Sequence, residues 1–199
     1  MLNMLAFFAF APAQAPIELR IVMDSDIYRT GTPIMAKLVA KNISKKPIVI
    51  AKPAWDGSPT ASARMDMLKK GNIFETSGES SIPATQVGVN CVVSENKFVI
   101  LKPNESLVLY WKKFTSALDF HGLPPNLKSS WTTVTPYPIP AGSYTIKAIY
   151  SYDADALIKH WKLDWNRNIV FPSREVERLF KSAVKGNWNL TSKVQVRSQ

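Results

Sequence analysis

The stretch "HWKLDWNR", His160 to Arg167, sets two indoles four positions apart beside an imidazole and two cations. Large flat rings supply binding energy to a sugar ring or a protein partner, and neighbouring charges orient an anionic ligand. The chain path expected below brings Lys45, Lys46 and Lys102 to the same end of the molecule. The candidate binding set is therefore Trp161, Trp165, His160, Lys162, Arg167, Lys45, Lys46 and Lys102. A packing role competes with it, because Trp161 and Trp165 would equally serve to pin a helix to a sheet.

Other reactive residues form no comparable group. Neither His121 nor His160 has a serine or carboxylate at an interpretable offset, and no nucleophile elbow, glycine-rich phosphate loop or H-E-x-x-H occurs. No catalytic residue is expected, and the chain is not expected to be an enzyme. Asp24 with Asp26, and Asp153 with Asp155, offer oxygen ligands to a hard cation. The expected topology puts the two pairs at opposite ends, so neither metal nor cofactor is expected. Cys91 is the one cysteine, which excludes an internal disulfide and any zinc site built on several thiolates. Between valines and an asparagine it reads as a small buried apolar residue.

The chain of 199 residues, 46% hydrophobic and 20% charged, is long enough for one sizeable core and shows no composition shift that would mark a second. Its first residues, "MLNMLAFFAFAPAQAP", are an uncharged apolar run too short to span a bilayer as a helix. Small residues at Ala11 and Ala13 suit an A-x-A cleavage site, so residues 1–13 read as a secretory leader and the mature chain as 14–199. The leader lacks a basic first segment, and a buried first strand is the competing reading.

The rest of the chain alternates with period two. Ile17, Leu19, Ile21 and Met23 share one face; so do Ile34, Ala36, Leu38 and Ala40. Leu107, Leu109 and Trp111 form a third set, Tyr144, Ile146, Ala148 and Tyr150 a fourth, and Val194 and Val196 a fifth. Such strands make antiparallel sheets with one wet face each, and the dry faces must pack on one another. The expected class is all-β, a sandwich.

Within "AGSYTI", Tyr144 stands two residues before the inward position of Ile146. That is the place of the tyrosine corner of immunoglobulin-like sandwiches, whose hydroxyl bonds back to the preceding loop. Further motifs are "YRTGTPI" from Tyr28, "NISKKPIV" from Asn42, "LKPNES" from Leu101 and "WNLTSKVQV" from Trp188. Over most of its length the chain thus resembles secreted bacterial immunoglobulin-like domains, and the resemblance reaches the intracellular proteinase inhibitor family. Asn104 departs from the pattern, standing where glycine is usual, but asparagine tolerates the left-handed conformation a tight turn needs. The resemblance implies an immunoglobulin-like antiparallel β-sandwich; its motifs carry no chemistry.

In that frame strand A is expected near 16–24, B near 34–42, C near 47–54, D near 97–101, E near 106–113, F near 143–152 and G near 190–197. Three excursions, 55–96, 114–141 and 153–189, hold the surplus. The first contains an extra hairpin turning at Lys70 to Asn72, and the third one helix, "PSREVERLFKSAVKGN". Ser173 caps that helix, Gly186 stops it, and Val176, Leu179, Phe180, Ala183 and Val184 form its apolar stripe.

The formal charge of +10 points to an unknown acidic protein or an anionic cell-surface polymer as partner, and not to nucleic acid, for which no module is present. No stable membrane insertion is expected once a leader is removed. Asn42, Asn104 and Asn189 begin N-x-S/T sequons, which matter only in a host that glycosylates; those at Asn104 and Asn189, close to strand turns, read as chance. The reading is a secreted or periplasmic, non-enzymatic binding module of unknown ligand. A proteinase inhibitor acting through an extended loop and a carbohydrate-binding module are the alternatives.

Overall fold

Alternation becomes pairing in the computed structural model, which describes residues 15–53, 60–70, 72–76, 91–114, 139–164 and 168–198. The leader segment 1–13, His121, Trp131, Trp165 and Arg167 lie outside the described residues. In chain order the strands are β1 (Ile17–Met23), β2 (Ile27–Arg29), β3 (Ile34–Asn42), β4 (Ile48–Ala51), β5 (Ser62–Lys69), β6 (Asn72–Thr76), β7 (Cys91–Val92), β8 (Phe98–Leu101), β9 (Ser106–Phe114), β10 (Gly142–Tyr152), β11 (Ile169–Val170) and β12 (Gly186–Arg197). Two helices, α1 (Ala154–Asp164) and α2 (Arg174–Ser182), lie between β10 and β12.

A three-stranded sheet, β1-β3-β9, faces a five-stranded one, β2-β12-β10-β5-β6. Both are antiparallel except that β2 runs parallel to β12, where the chain crosses from one sheet to the other. This is an all-β immunoglobulin-like sandwich. Its core is the set of inward residues: Ile34, Leu38, Ile50, Met65, Met67, Leu101, Ile146 and Phe114 are fully buried. The described residues contain no helix long and apolar enough to cross a membrane.

Four details depart from the sequence reading. The strand beside β10 is β5, from the segment expected to be an extra hairpin, whereas β4, expected to be strand C, pairs with β8 in a two-stranded ribbon. Pro47 and Pro53 close β4 to four residues because proline offers no ladder donor, while β5 puts Ala63, Met65 and Met67 into the core. The hairpin does turn between Lys69 and Asn72, with Lys70 left-handed at φ 51.

The excursion after β10 holds two helices instead of one. Asp153 Oδ1 accepts the backbone N–H of Asp155 at 2.9 Å and of Ala156 at 3.1 Å, which starts α1. The second helix begins as its sequence indicates, Ser173 Oγ accepting Val176 N–H at 3.2 Å. It stops at Ser182, short of Gly186, because Ala183 turns extended and the Val184 N–H bonds the Val49 carbonyl at 2.9 Å. Gly186 instead opens β12, where the Trp188 ring lies so close that any side chain would overlap it.

The fourth departure is at β9. Leu38 pairs with Tyr110 and Val39 with Val108, so Leu109 is an extra residue on β9. A single insertion reverses the parity of all that follows. Leu109 points inward at 8% exposed, and Trp111, expected on the same face, stands in solvent at 60%.

Candidate functional site

Three tyrosines tie β10 to its surroundings at both of its ends. On the inward face of β10, Tyr144 donates its hydroxyl to the Pro140 carbonyl at 2.7 Å, Tyr150 to the Ala51 carbonyl at 2.8 Å and Tyr152 to the Phe180 carbonyl at 2.6 Å. These bonds fasten the preceding loop, β4 and α2 respectively. The first is the bond of a tyrosine corner. Burial pushes the phenols of Tyr150 and Tyr152 well above their ordinary value.

On α1, His160 and Lys162 are exposed, but Trp161 is only 3% exposed. Adjacent residues on a helix point about 100° apart, so one of the three must turn inward. Trp161 does, and its ring is not offered to a ligand. Asp153 and Asp155 are engaged locally: the first caps α1, and the second pairs with Lys185, whose ammonium it holds above the usual range. No cluster of three or more metal-binding side chains stands among the described residues. Cys91 is half-buried on the parallel β7–β11 pair.

Lys45, Lys46 and Lys102 are exposed and gather around one buried residue, Asn42. The Asn42 amide donates to the carbonyls of Lys46 and Leu101, both at 2.9 Å, and its Oδ1 accepts the Ser44 N–H at 2.8 Å. The Asn42 carbonyl accepts the N–H of Asn104, which is left-handed at φ 65. Asn42 thus locks the β3–β4 and β8–β9 turns together and presents their lysines on one rim.

That rim continues onto the outer face of the β1-β3-β9 sheet. Cross-strand register places Val22, Lys37 and Trp111 in one row, Arg20, Val39 and Val108 in the next, and Glu18, Lys41 and Ser106 nearest the rim; Lys113 sits beside Met35 at the other end. Trp111, Val108 and Val22 are exposed at 60%, 48% and 45%. The exposed apolar residues stand on the two outer strands, Trp111 and Val108 on β9 and Val22 on β1, with Lys37 and Lys41 on the middle strand and Arg20 and Lys113 beside them. Within these register rows Glu18 is the one carboxylate, and it is paired with Arg20 at 2.7 Å; the exposed Asp24 follows directly after β1.

A groove of ≈ 520 Å³ opens where α1 leaves the five-stranded sheet. Ser62, Ser151 and Asn187 stand in one register row across β5, β10 and β12, on the outer face, with the two serine hydroxyls 2.7 Å apart. Ala156, Leu157 and His160, successive turns of one α1 face, line the same groove.

The rim lysines, His160 and Lys162 are exposed as their sequence suggests, whereas neither the exposure of Trp111 nor the serine–asparagine row follows from the sequence. The row carries a weak signal, since Ser151 follows directly on the alternation of β10. Trp111 carries none, because strict alternation argues for the opposite face.

No family model matches the chain, and no curated protein matches it. Among solved structures it is similar to the CARDB domain of a Pyrococcus furiosus protein in complex with di-metal ions, at 12% identity and a TM-score of 0.36, covering 93% of this chain and 96% of that one. It is also similar to Spo0M, a sporulation control protein from Bacillus subtilis, at 10% identity and a TM-score of 0.34, with 94% and 51% covered. A beta-glucosidase from Listeria innocua in complex with gluconolactone matches at 8% identity and a TM-score of 0.29, the chain spanning 17% of its length.

Proposed function

We propose that the chain is a non-enzymatic interaction module, acting outside the cytoplasm, that holds an acidic protein on the outer face of its β1-β3-β9 sheet. The observation that carries this reading is Trp111, raised into solvent by the Leu109 bulge on the outer strand of a basic face, directly beside Lys37. Bulges recur where a strand must re-aim a side chain beside a functional surface. An exposed indole supplies desolvation energy, and the ammonium and guanidinium groups beside it complement carboxylates and speed encounter.

The test is capture of partners from the extracytoplasmic fraction by the wild type and by Trp111→Ser and Lys37→Ser/Lys113→Ser variants across a salt series. A partner retained by the wild type, lost by both variants and weakened by salt supports the reading. Equal recovery by Trp111→Ser overturns it. An anionic cell-surface polymer is the second reading, favoured by the continuity of Lys41 with Lys45, Lys46 and Lys102; its signature is loss of binding on Lys45→Ser/Lys46→Ser with Trp111→Ser unaffected.

The placement outside the cytoplasm draws on the leader-like residues 1–13, and amino-terminal sequencing of exported protein is expected to begin at or near Gln14. Met1 on most of the exported population refutes it. A proteinase inhibitor would need a loop standing clear of the sandwich. The segments long enough to supply one, 77–90 and 115–138, lie outside the described residues, so no observation favours that reading over the sheet face.

A further inference from the structure

The groove between α1 and the five-stranded sheet differs in chemistry from the rest of this basic molecule. Its lining among the described residues, which includes Thr60, Ser62, Ser151, Asn187 and His160, has no lysine or arginine, although the chain carries 25. The lysines of α1 stay out of it because the helix sorts them: Lys159 and Lys162 share a second hollow with Asp155 and Ile158, on the other side. Asp153 is the groove's one carboxylate among the described residues, and its Oδ1 is engaged by two α1 N–H groups. Among the described residues an anion would find no lysine or arginine there.

What the groove offers instead is a set of neutral donors and acceptors on a partly apolar wall. Ser62, Ser151 and Asn187 come from three adjacent strands, so they repeat at the interstrand spacing of roughly 4.8 Å. The Ser62 and Ser151 hydroxyls bond one another at 2.7 Å, which leaves the pair one donor and three acceptor positions, and the Asn187 amide both donates and accepts. Ala156 and Leu157 oppose them with carbon. The volume of ≈ 520 Å³ is within the range of small-molecule sites, roughly 300–1,000 Å³. Thr60 adds an unused polar group: its hydroxyl is closed off from solvent in the groove wall and has no hydrogen-bond partner.

The geometry points to a binding site for an uncharged polyhydroxylated ligand, a short saccharide, in this groove. A saccharide presents hydroxyls along one edge to the Ser62–Ser151–Asn187 row and its C–H face to Leu157 and Ala156. The site is independent of the basic sheet face, which lies on the other sheet and selects for negative charge.

Backbone amide spectra of the full chain, titrated with maltose, cellobiose and di-N-acetylchitobiose and separately with a poly-glutamate peptide, test the assignment. The expected result is that at least one neutral disaccharide shifts the amides of Ser62, Ser151 and Asn187 and leaves those of Lys37 and Trp111 in place. Asn187→Ala and Ser62→Ala, both at exposed positions, should each weaken that binding roughly tenfold, the discrimination carried by a hydrogen bond that closes on a desolvated ligand. Absence of shifts at the groove with all three disaccharides overturns the proposal. So does binding that both variants leave unchanged, or a groove response confined to the poly-glutamate peptide.

Discussion

Tyr152 donates its hydroxyl to the carbonyl of Phe180 at 2.6 Å, and the two rings meet edge to face at 5.9 Å between centroids. The carbonyl belongs to the last turn of α2, where intrahelical partners run out, so a strand side chain completes the helix end. Removing the hydroxyl in Tyr152→Phe leaves a buried acceptor unmade while keeping the ring contact. A loss of about 1–2 kcal/mol is expected in chemical denaturation. An unchanged midpoint would show that the bond contributes nothing to docking of α2.

Tyr150 and Tyr152 also set the alkaline limit. Burial is the main cause of both raised values, and for Tyr152 the neighbouring Tyr150, Asp153 and Asp155 add to it. In the unfolded chain a phenol ionises near about 10. Above that pH the unfolded state has released protons that the folded state keeps, so the stabilisation is fully present below about pH 10 and is lost as pH rises toward the folded values. Each tyrosine steepens the loss by about 1.4 kcal/mol per pH unit. Urea unfolding of the wild type and Tyr150→Phe across this range isolates one such contribution from the titrating lysines. Identical slopes would refute the argument.

Much of this was legible in the sequence, for reasons that also mark the limits. β3 and β10 alternate without interruption, so their inward faces and their bounds follow from side-chain period alone. Ser173 acts through a bond within one helical turn, which a local reading captures. Trp111 was misplaced because a bulge depends on the partner strand: nothing in "LVLYW" reveals that Leu109 has no counterpart on β3. Trp161 takes the packing role that competed with binding, because neighbours in sequence diverge around α1 and the residue between two exposed side chains turns inward. Asp153 and Asp155 read as possible ion ligands when the same residue type also caps a helix.

Asn104 occupies a position that favours glycine, at φ 65, with its N–H held by the Asn42 carbonyl at 2.9 Å. Alanine there would keep the left-handed geometry without a side chain suited to it, at a cost of about 1 kcal/mol. Asn104→Gly should match or slightly exceed the wild type. Thermal unfolding of the two variants is the check, and equal midpoints for Ala and Gly would mean that the turn relaxes.

Thr60 is 6% exposed with an unpartnered hydroxyl. Valine has nearly the same shape and lacks the polar atom. Because a buried unsatisfied group costs about 1–3 kcal/mol, Thr60→Val should raise the stability of the free protein by an amount toward the lower end of that range. A native threonine that weakens its own fold fits a residue retained for an occupant. Destabilisation by this substitution would show that the hydroxyl is already bonded.

The bulge on β9 makes the sharpest contrast. Uninterrupted alternation would bury Leu109 and Trp111 together; the observed register buries Leu109 at 8% exposed and leaves Trp111 at 60%. Truncating a buried leucine removes its transfer energy and opens a cavity, so Leu109→Ala should cost about 2–4 kcal/mol. Replacing an exposed side chain stays within about 0.5 kcal/mol, so Trp111→Ser should leave the unfolding midpoint nearly unchanged. A large loss for Trp111→Ser would mean that the indole is packed and the strand unbulged. A small one, together with loss of the acidic partner, joins stability and binding in one substitution: the chain keeps a large apolar ring in water at a place where the fold does not use it.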